Sequence, residues 1–74
     1  MNHEYDKKIG GRIRELREKS KLTQEQLSAR LQVSGCDITR SALAKIEVGQ
    51  RHLYPDEIKL IKEILAVEFD DIFI

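Results

Sequence analysis

The sequence predicts an all-α fold, a compact bundle of four helices closed by a short C-terminal helical turn. Three observations predict it. Apolar residues recur at helical spacing in four separate stretches, each preceded by a residue suited to opening a helix. No stretch shows the strict alternation of a half-buried strand. With 74 residues, 41% hydrophobic and 35% charged, the chain supports one small core, so a single domain over residues 1–74 is expected.

The first helix is predicted over Asp6–Ser20, where Ile9, Ile13 and Leu16 recur between charged residues and Asp6 serves as N-cap. Gly10 and Gly11 weaken it, which predicts a frayed first turn. Thr23-Gln24-Glu25-Gln26 reads as a capping box, opening a helix that carries Leu27 and Leu31 and stops at Gly35. Thr39 caps a third helix, Arg40–Val48, with Leu43 and Ile46 inward and Gly49 at its end. Pro55 suits the first position of a fourth helix, and Asp56 and Glu57 complement its dipole. Ile58, Ile61 and Leu65 form its core stripe, and residues 67–73 read as a last helical turn.

Net charge is zero, with 13 Lys and Arg against 13 Asp and Glu, but its distribution is uneven. Residues 1–51 carry 11 basic and 7 acidic side chains, net +4; residues 52–74 carry 2 and 6, net −4. Such asymmetry points to an anionic partner for the first part, and solvated helix faces are the ordinary alternative. No apolar run approaches the ~20 residues of a membrane span, so no membrane partner is expected. The N-terminus has neither a basic nor a hydrophobic segment, so no signal peptide is read and a cytoplasmic location is expected. Cys36 is the one cysteine and has no Cys or His at zinc spacing, so no metal and no cofactor are expected. No acidic pair is tied to a His or a glycine-rich loop, which leaves enzymatic function without support.

Three segments taken together are more specific. Ile13-Arg14-Glu15-Leu16-Arg17 followed by Leu22-Thr23-Gln24-Glu25-Gln26-Leu27 resembles the XRE family of helix-turn-helix regulators, the phage-repressor and Cro type. So do Ser41-Ala42-Leu43-Ala44-Lys45-Ile46-Glu47-Val48-Gly49-Gln50-Arg51 and the ending Leu65-Ala66-Val67 … Asp71-Ile72-Phe73, so the resemblance covers roughly residues 9–73. It implies a lambda-repressor-like domain with the motif at about 23–48 and C-terminal helices at 55–73. It also implies double-stranded DNA as partner, a homodimer on a palindromic operator, and transcription regulation. No small-molecule effector is evident.

On that reading the helix from Arg40 to Val48 lies in the major groove with its first residues at base edges. Arg40, Ser41, Ala42 and Lys45 are the expected base contacts: a forked donor for guanine, a short hydroxyl, a methyl for thymine, and a cation. Thr23 and Gln24, at a helix N-terminus, and Gln50 and Arg51, beyond the third helix, are the expected phosphate contacts. The resemblance implies that Arg17 pairs with Glu47 as a structural ion pair. Leu60 and Ile64 lie off the core stripe and, with Phe73 and Ile74, are the expected dimer patch. The sequence departs from the family at the turn, where residues 33–38 make it about five residues longer, with Gln32 in place of a common Gly and Ile38 expected as a buried plug. Ser28 stands at a position usually small and apolar. A protein–protein interaction module, antitoxin-like and using the apolar C-terminal face, is the alternative function.

Overall fold

The computed structural model describes residues 3–73. Its elements are five helices: α1 (His3–Lys19), α2 (Gln24–Val33), α3 (Arg40–Glu47), α4 (Pro55–Leu65) and α5 (Phe69–Ile72). Helix α1 packs on α3 and α5, while α2 packs on α3 and α4. Ile13, Leu27, Leu31, Ile38, Leu43, Ile46, Ile61 and Ile72 are fully buried between them. The predicted all-α class is the observed one, and the described residues contain no strand.

Local capping sets most boundaries. Thr23 Oγ1 accepts from the Gln26 N–H at 3.1 Å and Gln26 Oε1 accepts from the Thr23 N–H at 2.9 Å, a reciprocal box. Thr39 Oγ1 accepts from the Ala42 N–H at 3.2 Å. At the end of α2, the Gly35 N–H donates to Gln32 O at 3.0 Å and the Cys36 N–H to Leu31 O at 2.9 Å. This double closure requires the left-handed backbone that Gly35 adopts, with φ 87°.

The start of α1 differs from the expectation. The helix begins at His3 and not after Asp6, and it passes through Gly10 and Gly11 without a break. Asp6 lies in the first turn, where its carboxylate meets His52 Nδ1 at 3.1 Å. Gly10 is buried because α3 lies directly on it. A Cβ there would overlap the Ile46 carbonyl oxygen and come within 2.9 Å of the Ile46 carbonyl carbon. The glycine that lowers local helix propensity is the one that lets two helix backbones meet. Gly49, in the turn just past α3, allows a similar close approach to α1, since a Cβ on it would stand 2.6 Å from Lys7 Cα.

Leu60 is a second difference. It is half-buried and, like Ile58 and Ile64, packs against the core. Helix α4 is covered beyond the stripe of Ile58, Ile61 and Leu65, because it also packs on α2, where Ile64 meets Ala29 and Val33.

Candidate nucleic-acid interface

Helix α3 has two chemically distinct sides. Leu43, Ile46 and Glu47 are buried, and Arg40, Ser41, Lys45 and Val48 are exposed. At ~100° per residue, Ser41, Lys45 and Val48 fall on one outward strip, with Arg40 at its leading edge. Ala42 stands at the margin and is half-buried against the core, whereas Ala44 lies nearer the centre of the outward strip.

The orientation of this strip is fixed from below by a buried polar cluster. Arg17 and Glu47 are 7% and 4% exposed. Arg17 Nε donates to Glu47 Oε2 at 2.8 Å and Arg17 Nη2 to Glu47 Oε1 at 3.0 Å, a two-pronged pair between α1 and α3. Arg17 Nη1 also donates to the Leu22 carbonyl at 2.7 Å, reaching the segment that enters α2. Gln24 Nε2 donates to Glu47 Oε1 at 3.0 Å. One carboxylate thus gathers α1, the first residue of α2 and the last residue of α3. The hydrogen bond to Glu47 holds the Arg17 guanidinium above its ordinary pKa despite the opposing effect of burial.

Above this cluster opens a groove of about 600 Å³ between α1, the start of α2 and α3. Arg14, Thr23, Gln24, Glu25, Arg40 and Val48 line it, with Arg17 and Glu47 at its floor. Two exposed cations, Arg14 and Arg40, and one exposed carboxylate, Glu25, face this concave surface beside a helix N-terminus, a net positive balance suited to an anionic polymer.

The long turn is held by the residues that depart from the family. Ser28 is buried, and its hydroxyl donates to the Ile38 carbonyl at 2.8 Å. Gln32 Nε2 stands 3.4 Å from both that carbonyl and the Ser28 hydroxyl. With its side chain buried and its carbonyl bonded, Ile38 plugs the extra length and delivers Thr39 to its cap. Cys36 is buried beside it, and desolvation, reinforced by the nearby Glu57 charge, pushes its thiol above the ordinary value. Among the described residues no group of His, Cys, Asp and Glu is placed to hold a metal ion.

A family model described as Helix-turn-helix matches residues 13–72. The chain belongs to the XRE-type helix-turn-helix family. It is accordingly a DNA-binding transcription regulator, in a regulatory family that is typically non-enzymatic. No curated protein and no solved structure matches it significantly. No helix among the described residues is long and apolar enough to cross a membrane.

The helix-turn-helix groove does not gather all the predicted residues. Thr23, Gln24 and Arg40 line it, and Ser41 and Lys45 continue its α3 wall outward. Gln50 is exposed just past α3. Arg51 is engaged elsewhere. Its Nη1 and Nη2 donate to Glu57 Oε1 and Oε2, each at 3.0 Å, and Nη1 also donates to the His52 carbonyl at 3.1 Å. Glu57 in turn accepts from the Tyr54 N–H at 3.0 Å, so Arg51 straps the α3–α4 link onto α4. Burial alone would raise the Glu57 carboxyl, but the Arg51 and Tyr54 hydrogen bonds outweigh it and hold the pKa below the usual carboxylate value.

The predicted dimer residues are also divided. Ile64 lines a shallow apolar cleft with Ala29 and Val33, the latter 90% exposed. Phe73 lies in a different depression, beside Tyr5 and Ile9, with the Phe69 ring 6.4 Å away. Ile74 lies outside the described residues. Three groove residues are not legible as such in the sequence, where Glu25 reads only as the acidic residue of a helix's first turn. Arg14 sits one turn from Glu18 and looks there like half of an ordinary surface pair, and Val48 looks like a core residue at a helix end.

Proposed function

We propose that this regulator binds a palindromic operator as a homodimer, with α3 in the major groove and Arg40, Ser41 and Lys45 at base edges. The single observation that carries the proposal is the polar outward strip of α3 held rigidly by the buried Arg17–Glu47–Gln24 cluster. Base readout requires side chains presented at fixed distance and angle, and buried bonds of 2.8–3.0 Å to both neighbouring helices supply that rigidity. Arg40 suits guanine O6 and N7, a contact worth ~1–3 kcal/mol of discrimination. Ala42 contributes at most the edge of its methyl, because the core covers the rest. Thr23, Gln24 and Gln50 hold phosphates and set the register. Arg51 contributes through its strap on Glu57, which fixes the link that Gln50 precedes.

A two-fold dimer reading adjacent half-sites sets its α3 helices one DNA turn apart, ~34 Å, a spacing compatible with protomers whose longest Cα extent is 29 Å. The exposed Phe69 and Phe73 and the half-buried Leu60 and Ile64 supply apolar surface for that pairing. Selection from random duplex DNA tests the reading. Enrichment of a palindrome with half-sites one turn apart is the expected result. Lack of any enrichment at low salt would remove the operator reading and leave the interaction module.

A further inference from the structure

We propose that Arg14, on α1, is a DNA-backbone contact that seats one phosphate at the Val48 end of the groove, with Val48 against the adjoining deoxyribose. The proposal rests on the DNA reading of α3 and extends the contact surface to a helix outside the motif.

Arg14 and Arg40 line the same groove, on different helices. Arg14 stands one turn before Arg17 on α1, so it rises above the buried cluster at the groove's rim. Its side chain is 58% exposed, and Glu18, with which it pairs, stands loosely at 3.7 Å and is 55% exposed. Such a pair contributes little and is readily exchanged for a phosphate. Arg17 presents no such opportunity, because Glu47 and the Leu22 carbonyl occupy its donors.

Geometry selects backbone over bases at this end. From Arg40 to Val48 the chain advances eight residues, about 12 Å along the helix. The major groove is itself ~12 Å wide. With the Arg40 end at base edges, the Val48 end arrives at the flanking strand. Val48 is 50% exposed and has no polar atom to offer a base or phosphate, but its methyls suit a sugar face. Arg14 lines the same groove and lies on α1 between Gly10 and Arg17, which meet α3 at Ile46 and Glu47, so it supplies the charge at this end.

Equilibrium titration of the intact chain on operator and random duplexes, over a salt series, tests this. Arg14→Ala is expected to lower affinity by the same factor on both DNAs and to reduce the salt slope by about 0.9, one phosphate's worth. Its deficit relative to wild type should then shrink roughly 3.5-fold between 50 and 200 mM salt, as that slope dictates. Arg14→Lys should keep the slope. Glu18→Gln should bind as tightly as wild type or tighter, because it frees Arg14. If Arg14 merely stabilised α1 through Glu18, both Arg14→Ala and Glu18→Gln would weaken binding, and the proposal would be overturned. An unchanged slope in Arg14→Ala would overturn it as well. Arg40→Ala in the same titration separates the two readings. Lost operator preference there with an unmoved Arg14→Ala slope sinks only the Arg14 contact, whereas unaltered preference in Arg40→Ala sinks the α3 reading on which it rests.

Discussion

Replacing Gly10 with alanine tests the tightest backbone contact in the fold. The added Cβ would overlap the Ile46 carbonyl oxygen, with the Ile46 and Glu47 carbonyl carbons at 2.9 and 3.1 Å. All three are backbone atoms, so no side chain can swing aside. Restoring ordinary contact requires α1 and α3 to separate by roughly an ångström at a packed interface. Overpacking of this kind costs ~1–3 kcal/mol, and the absence of a flexible neighbour puts this site at the upper end. Alanine regains ~1 kcal/mol of helix propensity, leaving a net loss of about 2 kcal/mol. For a domain of this size that lowers Tm by roughly 8–16 °C. Gly11 is the internal control, since a Cβ on it meets nothing within 4 Å. Gly11→Ala should therefore stabilise by about 0.5–1 kcal/mol through propensity and the unfolded-state entropy. Thermal and urea unfolding followed by far-UV circular dichroism reads both. A Gly10→Ala protein as stable as wild type, or a Gly11→Ala protein weakened equally, would refute the close-packing account.

Three other outcomes follow from named contacts. Removing one partner of the buried pair, as in Glu47→Ala, should cost ~3–5 kcal/mol in urea unfolding, while Arg17→Met combined with Glu47→Leu should cost less than either single change. A double variant weakened by the sum of both would show that the two side chains do not act as a pair. Ser28→Ala leaves the Ile38 carbonyl with only the long Gln32 contact of 3.4 Å and should cost ~1–2 kcal/mol, read by the same unfolding assay. Glu57 has a depressed pKa in the folded chain, so the unfolded chain binds its proton first on acidification. Its contribution is complete above the unfolded carboxyl value, ~4.3, and disappears as pH falls through the lower folded value. Stability should decline over that window, and Glu57→Gln should decline less steeply across it. Identical slopes would show that the Arg51 strap carries no pH dependence.

How much of this was legible in advance depended on the range of each interaction. Thr23 with Gln26, and Thr39 with Ala42, are bonded across three residues, so cap and partner appear together in the sequence. Glycines at 35 and 49 announce helix ends for the same local reason. Arg51 looks like a phosphate contact in the sequence because its position past α3 is visible there, whereas the competing carboxylate of Glu57 becomes relevant only once the α3–α4 link curls onto α4. Arg14 does not stand out in the sequence, because an i, i+4 partner explains it locally.

The sequence by itself determined the helices, their caps, the core stripes and, through the order of its motifs, the helix-turn-helix family. Those follow from contacts a few residues apart and from a period of 3.6. The tertiary structure decided which glycine is indispensable, which cation is free to meet DNA, and where the apolar C-terminal residues lie. These depend on contacts that exist only after the bundle has packed, some between atoms tens of residues apart, such as Gly10 with Ile46 or Arg17 with Glu47, and one across the curled α3–α4 link, Arg51 with Glu57.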